Sequence, residues 1–418
     1  MPRFSLRLHA QPEPPQHDGT AAPPGGSVGA CNDLRCDDEK DTVKRRALIL
    51  CSSLFCLGLL GMGLLGSVAA AQKIADRSTS ELLRVAHTLY QQNECFSSRY
   101  LYQEVLQREP KNVAALSGKG QALVCEGAFS EGVSTLEQAA KLAPQQGQTY
   151  VRLASAYVKE FESNPKKTAL LSDALGALKD AETAGADGGA VSNLRGVVLY
   201  RQGNLPDAKT ALLNATNLDG KQAVYHRDLG RVELELGQTQ AAVTTLRRAV
   251  SLEPESALGH NQLGAAYLLL GRCDDAVFEL EQAATLAPDV AEVNFNVGRA
   301  NFDCNKMSEA RSYFDKVVSL EPTAFPPAYT YLARIDLTSE AFDSALTQAT
   351  KGALLPPTNA EAYYWLGQTY EARGDKGQGN TEDAMSDVDK AKGAYERALE
   401  LDPSFELAQK ALDTLSNP

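Results

Sequence analysis

The sequence predicts an all-α protein, a solenoid of about nine helical hairpins closed by one capping helix. Two observations predict it. Apolar residues recur at helical spacing, three and four apart, along most of the chain. Several independent columns of small residues then share one period of 34 residues, as in Gly230, Gly264 and Gly298.

One unit shows how each hairpin is built. In "YLLLGRCDDAVFELEQAATLAP", Tyr267 to Pro288, the first helix should stop at Gly271, because glycine tolerates the backbone of a helix end. Asp274 and Asp275 suit the positive start of a second helix, and Pro288 closes the unit. Alanines recur near the start of the second helix as Ala208, Ala242, Ala276 and Ala310, and again as Ala215, Ala249 and Ala283. The closing prolines are Pro254, Pro288 and Pro322. Small columns are needed where two helix backbones approach closely. A hairpin this short leaves an apolar face that only a neighbouring hairpin covers.

"LGAAYLLLG…A" at Leu263 to Ala276, "YYWLGQTYEARG" at Tyr363 to Gly374 and "AYERALELDP" at Ala394 to Pro403 resemble the tetratricopeptide repeat (TPR) family. The resemblance covers almost everything after residue 78. It implies a right-handed α-solenoid superhelix whose first helices line a concave, noncatalytic protein-binding groove. The units read 79–112, 113–146, 147–188, 189–222, 223–256, 257–290, 291–324, 325–359 and 360–405, and "SFELAQKALDTLS" reads as the cap. The third unit carries extra residues around "FESNPKKT" and the ninth around "GQGNTEDAMSD", both expected as loop between the two helices. Asn93 and Ser98 in the first unit, Arg195 and Gly220 in the fourth, and the missing mid-unit glycine of the eighth depart from the pattern.

Ahead of the repeats, residues 1–43 are rich in Pro, Gly, Gln and Asp without periodicity, and are expected to be a disordered leader. Val43 is a candidate true start, which would leave that leader untranslated. Lys44, Arg45 and Arg46 then precede an uncharged apolar run, Ala47 to Ala71. Residues 44–71 fit a signal peptide cut after Ala69-Ala70-Ala71, or alternatively a transmembrane helix, with 72–78 as linker and 79–418 as the TPR array. On either reading the basic flank stays inside and the repeats lie outside the cytoplasm, periplasmic or extracellular if cleaved, membrane-anchored through 47–71 if not.

Four cysteines fall in the repeats. Cys95 and Cys273 begin second helices, and Cys125 and Cys304 end the first helices of the units that follow. Stacked hairpins bring those ends together, which predicts disulfides Cys95–Cys125 and Cys273–Cys304. The alternative is four small buried hydrophobes.

Lys plus Arg total 41 and Asp plus Glu 53, a net charge of −12 that argues against nucleic acid as partner. The sequence offers no phosphate loop, nucleophile elbow or metal-ligand spacing, so no enzyme activity, metal or cofactor is expected. His226 and His260 occupy equivalent packing positions, and the acidic stretch with Asp383, Asp387 and Asp389 lacks the spacing of a calcium loop.

Carried onto this chain, the groove columns of the TPR family hold Arg152, Asn193, Arg227, Arg231, Asn261, Gln262, Asn296, Arg299 and Arg334, with Arg84 at their start. Phe295, Tyr331, Tyr364 and Trp365 add aromatics toward the C-terminal end. Arginine forks onto carboxylates, the asparagine amide pairs with peptide backbone, and aromatics anchor by desolvation. The expected ligand is an extended, acidic or carboxylate-bearing segment of another protein. The competing reading is a solvated helix face with local ion pairs, such as Asp228 with Arg231. The family's clamp for acidic C-terminal peptides is not matched, because its columns hold Leu83, Ser117, Gly118 and Arg152. The expected role is a noncatalytic interaction scaffold, or alternatively a recognition or assembly subunit of a cell-envelope enzyme or secretion complex.

Overall fold

The computed structural model describes residues 77–356, 358–375 and 386–416. The leader, the 44–71 segment and most of the 72–78 linker lie outside the described residues, as does Asp383. Among the described residues there are nineteen helices and no strand, and no helix is long and apolar enough to cross a membrane.

The chain divides into two compact units at Asp219–Gly220, where glycine replaces the closing proline. The first unit holds four hairpins: α1 (Thr79–Gln91) with α2 (Cys95–Arg108), α3 (Val113–Cys125) with α4 (Phe129–Leu142), α5 (Gly147–Ser163) with α6 (Ala169–Thr183), and α7 (Gly188–Arg201) with α8 (Leu205–Leu218). The second holds α9 (Ala223–Glu235) with α10 (Thr239–Leu252), α11 (Ala257–Leu269) with α12 (Cys273–Leu286), and α13 (Ala291–Asp303) with α14 (Met307–Leu320). It continues with α15 (Pro326–Thr338) and α16 (Phe342–Leu354), then α17 (Ala360–Asp375) and α18 (Asp387–Leu401), and ends on α19 (Glu406–Ser416). Within each unit every second helix packs on the first helix of the next hairpin, and α19 covers the last face with Ala408 fully buried.

The small columns do what their spacing requires. A Cβ built on Gly264 would lie 2.6 Å from Leu280 Cγ and 3.0 Å from the Ala276 carbonyl, inside the contact limit of real side chains. Gly120 meets Leu136 Cγ at the same 2.6 Å in the first unit. The leucine sixteen residues on from each glycine therefore fills the space that a side chain would otherwise take. Leu136, Leu212, Leu246 and Leu280 are fully buried on this account.

In seven of the nine units the mid-unit stop is a left-handed residue. Gly271 has φ +70°, and the pattern's exceptions adopt the same backbone: Asn93 at +63°, Asn305 at +61° and Glu340 at +57°. Asparagine enters that region more readily than other side chains, whereas glutamate in the eighth unit bears its steric cost of about 1–2 kcal/mol.

The third-unit insertion is not simply a longer loop. Helix α5 spans 17 residues where α3 spans 13. About one turn of the extra chain has joined the helix, where its carbonyls and amides find partners at no loop-closure cost. In the ninth unit the roots of the insertion are tied by a buried bidentate pair, Arg373 Nε and Nη2 donating to Asp387 at 2.8 and 2.7 Å.

Both cysteine pairs lie at disulfide distance, with Cα–Cα separations of 5.9 Å for Cys95–Cys125 and 5.7 Å for Cys273–Cys304. Each joins a second helix to the end of the next first helix, one pair in each unit.

Candidate functional site

First helices pack on one another through each unit: α1 on α3, α3 on α5 and α5 on α7, then α9 on α11, α11 on α13 and α15 on α17. Arg227, Arg231, Arg299 and Arg334 of the second unit stand on these helices, half-buried, with their stems covering apolar surface.

Their charges are partly met within the chain. Arg227 lies 3.9 Å from Glu253, Arg231 lies 3.4 Å from Asp228, and Arg299 lies 3.7 Å from Asp303. The local pairing expected for Asp228 and Arg231 is present, Arg299 pairs locally with Asp303 as well, and Arg227 reaches Glu253 beyond the following helix. These distances exceed those of tight charge-assisted hydrogen bonds, so the contacts are loose. Burial pushes the Asp303 carboxyl above its usual range, against the pull of Arg299 and Arg334. Arg334 is different. Its guanidinium sits among three rings, 4.5 Å from Phe302, 4.8 Å from Tyr331 and 4.5 Å from Trp365.

The polar residues between them are less available. Asn261 is buried and accepts a 2.9 Å hydrogen bond from Asn296 across the repeat boundary, so the pair ties α11 to α13. Gln262 is buried as well. Phe295 packs against Phe314, Phe325 and Tyr331, which makes it a core-facing ring. Tyr364 packs edge-on to Trp365 and against Tyr395 and Phe405, and both Tyr364 and Trp365 stay half-exposed.

Arg152 and Asn193 belong to the first unit. Arg152 donates to Ser117 Oγ at 2.8 Å from α5 to α3 and is half-buried, as is Asn193 on α7, while Arg84 on α1 is exposed. Asp387 is engaged by Arg373, and Asp389 accepts from Ser386 at the start of α18. Among the described residues no group of His, Cys, Asp or Glu is placed to hold a metal ion.

One set of residues was only half visible in the sequence. His226 Nε2 lies 3.1 Å from the Gly220 carbonyl and His260 Nε2 lies 2.9 Å from that of Pro254. Asn294 donates to the Pro288 carbonyl at 2.9 Å and Tyr329 to that of Pro322 at 2.8 Å. These four occupy one column, each reaching back to the carbonyl of the closing residue of the preceding hairpin. His260 also places Nδ1 2.6 Å from Glu279 Oε2. The histidine spacing hinted at the column. Its extension through Asn294 and Tyr329 is chemical rather than residue-specific, so identity columns do not reveal it.

Two family models agree with this architecture over part of the chain. Residues 230–271 match a family model described as TPR repeat, and residues 270–328 match one described as Tetratricopeptide repeat. No curated protein matches the chain. A tetratricopeptide repeat protein from Parabacteroides merdae is 16% identical, with TM-score 0.48, over 65% of this chain and 100% of its own. Pseudomonas aeruginosa pilF is 20% identical, with TM-score 0.44, over 54% of this chain and 97% of its own. YrrB, described as a TPR protein with an unusual peptide-binding site, is 19% identical, with TM-score 0.37, over 49% of this chain and 98% of its own. Two contiguous family matches on a helical hairpin array establish that residues 230–328 are tetratricopeptide repeats.

Proposed function

We propose that the first-helix face of residues 220–418 binds an extended, acidic segment of another protein, and that the chain is a noncatalytic interaction scaffold. Tetratricopeptide repeats generally serve protein interaction, which supports the general class. The observation that carries the specific reading is the set Arg227, Arg231, Arg299 and Arg334, all on first helices of one unit, in a chain of net charge −12. Three of them have acid neighbours at 3.4–3.9 Å, beyond the range of tight charge-assisted hydrogen bonds. A ligand carboxylate with better geometry displaces contacts of that kind at small cost.

The reading extends to a place outside the cytoplasm. Lys44 to Arg46 before the apolar run Ala47 to Ala71 supports export, and so does the approach of two cysteine pairs to bonding distance. N-terminal sequencing of chain from its native host is expected to find a start near Gln72. A cytosolic chain that retains residues 44–71 would remove this part of the proposal.

Binding is tested with a partner captured from host envelope extract. Arg227→Ala with Arg231→Ala is expected to weaken it roughly tenfold and to flatten its salt dependence, because screened charge contacts are lost. Trp365→Ala is expected to weaken it with the salt dependence kept. A partner indifferent to the arginine changes, but lost when second-helix residues are altered, refutes the reading.

A further inference from the structure

We infer that Arg334 is the principal anchor of this face: its guanidinium takes an Asp or Glu carboxylate of the bound segment, and Trp365 takes an apolar or aromatic side chain beside it. The inference rests on the reading of the first-helix face as a binding surface.

Arg334 stands apart from the other three arginines in two respects. Arg227, Arg231 and Arg299 each have an acid of the same chain nearby. Arg334 makes no salt bridge within 4 Å among the described residues; its Nε, like those of the other three, is buried with no hydrogen-bond acceptor. Its neighbours are instead the rings of Phe302, Tyr331 and Trp365. Those rings are themselves fixed. Phe302 meets Tyr331 edge-on at 5.1 Å, and Tyr331 stacks at 4.9 Å on Phe314, which is fully buried.

Rings packed about a cation remove water from it and restrict its rotamers. A cation so prepared gains more from a carboxylate than a hydrated one does, since the local dielectric is lower. It also loses less side-chain entropy on pairing. Guanidinium geometry favours the two-oxygen fork of a carboxylate over a single acceptor. Asp303 does not fill this role: it feels Arg334 only at longer range, beyond salt-bridge distance, and its nearer partner is Arg299 at 3.7 Å. Trp365 is half-exposed and touches the same guanidinium, so a side chain next to the acid reaches its ring. The recognised feature is therefore an acidic residue adjacent to an apolar or aromatic one.

The test is selection of a random heptapeptide library, displayed on phage, against the full-length chain. Binders are expected to be enriched in Asp or Glu next to Phe, Trp, Tyr or Leu. For a synthetic binder, Arg334→Gln and conversion of its acid to the amide should each cost about tenfold or more. Made together, the two changes should cost little more than either alone, which a purely structural arginine does not produce. Arg334→Lys keeps the charge without the fork and is expected to lose most of the affinity; it serves in the same cycle if Arg334→Gln does not fold. A library that yields no binder, binders without acidic preference, or additive losses overturn the anchor. Binders sensitive to Arg227 and Arg231 but not to Arg334 overturn the anchor and leave the binding face standing. Binders indifferent to every first-helix change overturn both.

Discussion

The two units build the same hairpin but secure its entry differently. In the first unit, three of the four first helices carry their own N-cap. Ser78 accepts from the Glu81 amide, Asn112 from the Ala115 amide at 3.0 Å, and Asp187 from the Ala190 amide at 2.8 Å. In the second unit α11 and α17 are capped likewise by Ser256 and Asn359, but α9, α13 and α15 begin at Gln222, Val290 and Phe325 with no side-chain cap. There His226, Asn294 and Tyr329 bond instead to the carbonyl of the preceding closing residue. The same column in the first unit holds Leu82, Leu116, Tyr150 and Ser192. One device satisfies the orphan amides of a helix start, and the other holds a carbonyl of the connecting turn. A fixed repeat period thus constrains where a helix begins, not which polar group secures it.

The largest expected effect comes from the bridges, one per unit. Replacing Cys95 and Cys125 by Ser is expected to destabilise the first unit by about 3–4 kcal/mol, and replacing Cys273 and Cys304 to do the same to the second. Hydrogen exchange followed during denaturant unfolding assigns each loss to its unit. A loss shared equally by both units would show that they unfold as one body, and no loss in oxidised protein would show that the thiols are free.

A smaller and equally local effect is expected from filling the close approaches. Gly120→Ala and Gly264→Ala should each cost about 1–3 kcal/mol, since the new methyl meets both a leucine and a backbone carbonyl. Proteolytic susceptibility should rise only in the unit that carries the change. An alanine tolerated at either site would mean that the hairpin opens freely there.

The finest test exchanges the two devices. Asn112→Ala is expected to cost about 1 kcal/mol through its lost cap, and Asn294→Ala a similar amount through its lost carbonyl bond. Val290 is 42% exposed at the uncapped start of α13, so Val290→Ser should recover most of the Asn294→Ala loss by supplying a cap. Thermal unfolding of the single and double variants decides it. An Asn294→Ala variant as stable as the parent would remove the carbonyl bond from the account.

The period, the small columns and the pairing of Cys95 with Cys125 and Cys273 with Cys304 were legible because each is a statement about spacing, and helix geometry turns spacing into position. The binding face was legible only as a set of columns. Arg231 and Asp228 pair by helical adjacency, and the sequence showed that pair. Arg227 with Glu253, Asn261 with Asn296, and Arg334 among Phe302, Tyr331 and Trp365 depend on how one helix lies against another. Within each unit, then, the sequence by itself determined the hairpins, their order and most of their stops, because local backbone preference and the burial of one apolar face suffice for these; the longer α5 is the exception. That Arg227 meets Glu253, and that Phe302 and Trp365 close over Arg334, was decided by the tertiary structure, because these side chains lie on different helices or turns and meet only after the helices have packed.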